Sequence, residues 1–202
     1  MKRILTIVGA RPQFVKAAVL SREIEMNAKM KEVIVHTGQH FDKKMSDIFF
    51  EELHISQPKH FLNIHGGSHG QMTGKMIEAV EKVIFREEPD IVLVYGDTNS
   101  TLAGSLAAAK LNIPIAHVEA GLRSFNREMP EEINRVITAH LSNLLFCPTI
   151  KSVKNLENEG ITDGVFHDGD IMHDATLYAK KVLEKNPSKI RISSNLVEKT
   201  LP

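Results

Sequence analysis

A lone cysteine, Cys147, leaves no intrachain disulfide to be made and makes a cysteine-built metal centre implausible. Net charge is also missing: 25 basic side chains balance 25 acidic ones. Nothing in that balance marks a surface for nucleic acid or for anionic lipid, so an anionic ligand must be held by a few placed groups. No apolar run approaches the roughly 18 residues that cross a bilayer. Met1-Lys2-Arg3 opens like a secretory signal, but Gly9, Arg11, Pro12, Gln13 and Lys16 interrupt its core. The expectations are cytoplasmic residence, no membrane partner and no nucleic-acid partner. Internal repeats and low-complexity tracts are lacking too. What remains is a 202-residue chain, 42% hydrophobic and 25% charged, long enough for one large globular domain with a real core.

Strand and helix patterns alternate along it. Ile4 to Val8 is a short apolar run broken by Gly9, and from Pro12 the spacing of Phe14, Ala17, Ala18 and Ile24 is helical. Val33 to Val35 predicts a second strand, Met45 to Leu53 a helix, and 54–68 an irregular stretch rich in His, Pro, Gly and Ser. Gln71 to Arg86 carries the clearest helical stripe, with Met72, Met76, Val80 and Ile84 four apart. Ile91 to Tyr95 reads as a strand buried on both faces, which suits a central parallel strand. Further helices are predicted around Leu102, Leu106 and Ala109, from Pro130, from a Thr149 cap to about Asn158 with Gly160 beyond it, and over 171–183. Strands are predicted at 114–118, 144–147 and 165–167. This alternation predicts a three-layer, doubly wound parallel α/β sheet of Rossmann-like type.

Such sheets bind ligands beyond the C-terminal ends of their strands. After the first strand comes Gly9-Ala10-Arg11-Pro12-Gln13-Phe14-Val15-Lys16. A tight turn, a helix N-terminus, an Arg fork and a Lys point charge together suit a diphosphate, although a surface Arg and Lys flanking a loop would read the same way. Neither the G-x-G-x-x-G dinucleotide fingerprint nor a G-x-x-x-x-G-K-[ST] loop is present, so no redox or other cofactor is indicated. Asp97 follows the central strand, where it either caps the next helix or projects into the crevice, and Thr98, Asn99 and Ser100 add donors. Glu119, at an otherwise apolar strand end, is costly there unless paired or used. Glu131 and Glu132 fall in a first helical turn that favours acids anyway, with Arg135 spaced for an i,i+4 pair with Glu131. Convergence of Asp97, Glu119 and Glu131 on one crevice beside an Arg and a Lys is what would make proton transfer at a sugar feasible. The ten histidines contain no H-E-x-x-H motif, and no metal is expected.

Together the segments 9–16, His36-Thr37-Gly38-Gln39-His40, Gly96-Asp97-Thr98-Asn99-Ser100-Thr101, His117 to Arg123, Met129 to Arg135 and Gly169-Asp170-Ile171-Met172 resemble the non-hydrolysing UDP-N-acetylglucosamine 2-epimerases. The resemblance covers position 2 to about 185, with spaced motifs in the right order. It implies one half of a two-domain glycosyltransferase-B-type architecture. It further implies interconversion of UDP-N-acetylglucosamine and UDP-N-acetylmannosamine for surface polysaccharides, through loss of the C2 proton, release of UDP and a bound 2-acetamidoglucal. The implied catalytic residues are Asp97, Glu119 and Glu131; the implied substrate-binding residues are Arg11, Lys16, Gln39, His40, Thr98, Asn99 and Arg123.

Family members are longer. The expected organisation is therefore a Rossmann-like domain over 1–170, one wall of a UDP-sugar cleft, and a helix and linker over 171–202 leading toward an absent second domain. That domain, UDP or a UDP-N-acetylhexosamine, and a second copy of the chain are the partners in view, and the isolated half is expected to epimerise poorly or not at all. The rival readings are a hydrolysing epimerase that releases free sugar and UDP, a glycosyltransferase of the same architecture, and a non-catalytic nucleotide-binding module.

Overall fold

A computed structural model describes residues 1–39 and 55–185. The helix expected over 45–53, His40 and the stretch after Lys185 lie outside the described residues. Among those described, seven strands form one sheet in the order β3-β2-β1-β4-β5-β6-β7, each pairing parallel with its neighbours. They are β1 (Lys2–Val8), β2 (Met30–His36), β3 (His60–Phe61), β4 (Ile91–Tyr95), β5 (Ile115–Val118), β6 (Leu144–Cys147) and β7 (Val165–His167). From β1 the chain winds outward to β3 and then returns to β4 on the other side of β1. The switch point therefore lies between β1 and β4, where Ile7 pairs with Val94.

Among the described residues six helices cover the two faces: α1 (Arg11–Met26), α2 (His69–Glu87), α3 (Asn99–Lys110), α4 (Pro130–Leu141), α5 (Ile150–Asn158) and α6 (Ile171–Lys185). Alternation along the strands sorts their side chains between the faces. On one face Phe14, Ala17, Ala18 and Ile24 of α1 pack on Val8, Ile34, Leu93 and Tyr95. On the other, Val80, Val83 and Ile84 of α2 and Ala107 and Ala108 of α3 pack on Leu5, Ile7, Val92 and Val94. A third cluster joins Ala139 of α4 and Leu156 of α5 to Leu145 and Cys147. α3 sits close because it is narrow: a Cβ at Gly104 would come within 3.1 Å of Ile7 Cγ1 and 3.3 Å of Val94 Cγ1.

The sequence signals act where they stand. Ser68 and Gln71 form a reciprocal capping box, which starts α2 two residues before the apolar stripe suggests. Thr149 caps α5 by accepting from Ser152 N–H at 3.1 Å, and Gly160 follows the C-cap Glu159 with φ of 78°. β3, within the stretch expected to be irregular, is only two residues long and half exposed, so no alternation announces it. α6 turns back onto α1. Ile171 enters the core, and the Arg22 guanidinium carbon lies 3.6 Å from the centroid of the Tyr178 ring. No helix among the described residues is long and apolar enough to cross a membrane.

Candidate active site

At the switch point one glutamine holds both loops. Gln13, 2% exposed, accepts from the N–H groups of Gly9 and Ala10 through Oε1, at 2.8 and 3.0 Å. Its amide nitrogen lies 2.8 Å from Tyr95 O, 3.1 Å from Thr98 Oγ1 and 3.0 Å from Thr101 Oγ1. The turn after β1 is thereby fixed to the turn after β4. Gly9 lets the two approach, since a Cβ there would fall 2.1 Å from Ser100 Oγ and 2.2 Å from Thr37 Oγ1. Thr37 and Ser100 hydrogen-bond at 2.8 Å, and Gln39 Oε1 accepts from both Ser100 N–H and Ser100 Oγ.

Arg11 opens α1 exposed to solvent. Lys16, a little over one turn further along, is 8% exposed and forms an ion pair with Glu119. Glu119 leaves β5 with φ of 70°, an unfavourable conformation for a residue with a Cβ that requires support from its surroundings. Gly96 makes room for this pair: a Cβ there would stand 3.3 Å from Glu119 Oε2 and 3.7 Å from Lys16 Nζ. Behind Gly96, the fully buried His117 donates from Nε2 to Gly96 O at 2.8 Å. Burial pushes its imidazole down to about 4, so His117 is a neutral donor near neutral pH.

Asp97 forms an ion pair with Arg135 of α4, and its carbonyl accepts from Asn134 Nδ2 at 2.8 Å. Arg135 also reaches Glu132 at 2.9 Å. The spacing expectation of a Glu131–Arg135 pair is thus corrected. Arg135 bridges Asp97 and Glu132, while Glu131 stands exposed in the first turn of α4. Thr98 caps α3, accepting from Thr101 N–H at 3.2 Å. Asn99, 6% exposed, lies within hydrogen-bonding distance of His69 and Asn134. Arg123, with a side chain 1% exposed, forks onto Glu159 through two contacts of 2.7 Å and donates to Leu122 O.

The loops carrying the expected residues therefore meet at one sheet edge, but their side chains divide into two sets. Lys16 and Glu119 pair with each other and Asp97 pairs with Arg135, while Arg11 and Glu131 stand exposed in the first turns of α1 and α4. Gln39, Thr98, Asn99 and Arg123 have their polar groups engaged in holding loops. Reading the sequence missed Gln13, Glu132, Arg135 and His117. Gln13 gave a signal, since it is a polar residue on the apolar side of α1 beside Phe14 and Ala17. Glu132 gave none that would separate it from Glu131.

A cavity of about 240 Å³ adjoins Glu119, walled by Leu20, Val118, Phe146, Pro148 and Ile171. A larger one, about 490 Å³, opens at the opposite edge, near the starts of β1 and β2. There Arg3, Lys31, Lys59 and Arg86 gather around the buried Glu87 at the C-terminal end of α2, where cations offset the helix dipole. Among the described residues no group of three or more His, Cys, Asp or Glu side chains is placed to hold a metal ion.

A parallel sheet with helices on both faces, and with carboxylates and cations at its switch point, defines a Rossmann-like domain of the glycosyltransferase-B type. More narrowly, residues 22–201 match the family described as UDP-N-acetylglucosamine 2-epimerase, and the chain belongs to that family. It is 59% identical over 179 residues to UDP-2,3-diacetamido-2,3-dideoxy-D-glucuronate 2-epimerase of Pseudomonas aeruginosa, covering 87% of this chain and 51% of that protein. It is 57% identical over 197 residues to a UDP-N-acetylglucosamine 2-epimerase homolog of Methanococcus maripaludis, covering 98% of this chain and 55% of the relative. The crystal structure of UDP-GlcNAc 2-epimerase from Methanocaldococcus jannaschii in complex with UDP-GlcNAc and UDP superposes with a TM-score of 0.84 at 49% identity, over 92% of this chain and 50% of that one. The chain spans about half the length of the curated relatives it matches.

Proposed function

We propose that this chain is the N-terminal, catalytic-site-bearing half of a non-hydrolysing epimerase that inverts C2 of a UDP-linked 2-acetamido sugar. The leading substrate pair is UDP-N-acetylglucosamine and UDP-N-acetylmannosamine. The observation that carries this is the Lys16–Glu119 pair packed over Gly96 at the switch point, in a chain of that family. Arg11 and Lys16 neutralise the diphosphate as the C1–O bond breaks. A carboxylate of the set Asp97, Glu119 and Glu131 takes the C2 proton, leaving 2-acetamidoglucal and UDP. A carboxylate on the opposite face returns a proton to C2 while the UDP oxygen re-adds to C1. Gln39 and Arg123 act as loop anchors in this reading, Thr98 caps α3, and Asn99 fixes α4 against that cap.

In this reading a further domain, for which the greater length of the relatives leaves room, supplies the facing wall, and a second copy of the chain is a partner. The site of action in this reading is cytoplasmic.

One observation favours a second substrate. The relative at 59% identity is named for a 2,3-diacetamido uronate, whereas those named for UDP-N-acetylglucosamine stand at 57% and 49%. Incubating the full-length protein with each UDP-sugar in turn, and following the anomeric protons by NMR, tests both. Conversion of UDP-GlcNAc to UDP-ManNAc supports the leading reading, and conversion of the uronate alone supports the second. Accumulation of free sugar with UDP would mark a hydrolysing enzyme and overturn both.

A further inference from the structure

Glu132 stands in the first turn of α4, where an acid is favoured by the helix dipole, and a purely local role would end there. Its contacts go further. Although Glu132 is only 2% exposed, both its oxygens are used. Oε1 accepts from Phe125 N–H at 2.9 Å, and Oε2 accepts from Ser124 N–H at 2.9 Å and Arg135 Nη1 at 2.9 Å. Burial alone would raise its pKa; the two backbone N–H groups and the guanidinium outweigh it and hold the carboxyl down at about 2. Phe125 has φ of 59° and needs such an outside hold.

The second nitrogen of the Arg135 fork grips Asp97. Asn134 beside it takes the Asp97 carbonyl. α4 thus holds the loop after β4 by side chain and backbone, and the loop after β5 by two backbone N–H groups. One buried carboxylate lies at the junction.

We propose that Glu132 is a positioning residue: it fixes the loop that follows Glu119 and, through Arg135, aims the Asp97 carboxylate, without touching substrate itself. This rests on the function proposed above. The two oxygens of Glu132 and the two nitrogens of Arg135 determine where Asp97 Oδ2 sits, and small displacements of a reacting carboxylate are expensive in rate. An amide at position 132 presents an NH2 group where the native oxygen accepts, so it must break with Arg135 or with one backbone N–H.

The test is Glu132→Gln and Arg135→Lys in the full-length protein, with kcat and KM for the epimerised UDP-sugar measured separately. Each variant should lose about tenfold or more in kcat with KM changed less than about threefold, because only transition-state geometry is disturbed. The double variant should be little worse than the poorer single one, since both act through Asp97. An unchanged kcat with only a lower Tm would make Glu132 a scaffold residue and overturn the proposal. A raised KM at constant kcat would place it against the ligand and overturn it equally. The coupling also has a readout without substrate: in this 202-residue chain the side-chain carboxyl ¹³C resonance of Asp97 should shift on Glu132→Gln. If the wild-type protein epimerises neither sugar while that resonance moves, the functional reading fails and the linkage stands. If the resonance stays put, the linkage itself fails.

Discussion

Lys16 and Glu119 form an ion pair at the edge of the switch point, their side chains 11% and 21% exposed. In the proposed chemistry these two groups have different clients: the cation serves the diphosphate and the carboxylate serves the sugar. In that chemistry the arriving diphosphate would compete with Glu119 for Lys16, so binding of the nucleotide would free the carboxylate as Lys16 neutralises the leaving group.

The first expectation follows from that competition. Glu119→Gln should abolish turnover, by about 10²-fold or more, because general acid–base catalysis contributes on that scale. UDP affinity, measured by calorimetry, should hold or tighten because Lys16 is released. Lys16→Met should instead weaken UDP by about tenfold or more, the loss of a charge-assisted contact to phosphate. Weaker UDP binding in Glu119→Gln would contradict the account.

Gln13 gives the second. Gln13→Ala removes the contacts that tie Gly9 and Ala10 to Tyr95, Thr98 and Thr101 and leaves buried backbone groups unpaired. Stability should fall by about 2–3 kcal/mol on this basis, read by denaturant unfolding. Gln13→Glu should destabilise as well, since a carboxylate would face Tyr95 O. A neutral outcome in both would show that the two turns hold without it.

His117 sets an acid-side limit. Its folded value, about 4, lies below the ordinary 6.5, so the unfolded chain binds the extra proton first. Its contribution is complete above 6.5 and is lost as pH falls toward 4, at a cost of about 3 kcal/mol by linkage. His117→Gln should flatten the stability profile across that window. Glu132, held at about 2, acts only below its ordinary 4.5, so the two windows overlap only near their shared edge.

Glu32 has the opposite sign. Burial raises its pKa, opposed by Thr6, whose hydroxyl donates at 2.5 Å. Folding therefore favours the protonated acid, and this contribution is lost as pH rises above 4.5 through the folded value. Glu32→Gln, which keeps an acceptor for Thr6, should raise stability at neutral pH and leave it little changed in acid. A drop at neutral pH would mean that the ionised form is needed.

Fold and site were not equally legible. Ile91 to Tyr95 and Leu144 to Cys147 are apolar runs bounded by turn residues, and the strands stand there. The stripe through Met76, Val80 and Ile84 gave α2, because burial and helical period coincide in it. β3 was invisible, being two residues without alternation. In the site, Glu119 was marked by a charge at an apolar strand end, and Lys16 by its place with Arg11 at a helix N-terminus. The partner of Arg135 was misread because the i,i+4 rule concerns exposed helix faces, whereas α4 turns Glu132 inward to meet the backbone of Ser124 and Phe125. That choice is made by a loop folding back on the helix, which spacing does not encode.

Proton removal at C2 by a carboxylate of this chain is the step on which the proposed chemistry turns. It is tested most directly by incubating the full-length protein with its UDP-sugar in deuterated water and reading deuterium at C2 by mass spectrometry. The account predicts deuterium at C2 in the epimerised product, and the loss of exchange in Glu119→Gln. Inversion without deuterium incorporation, or exchange undiminished in that variant, would contradict it.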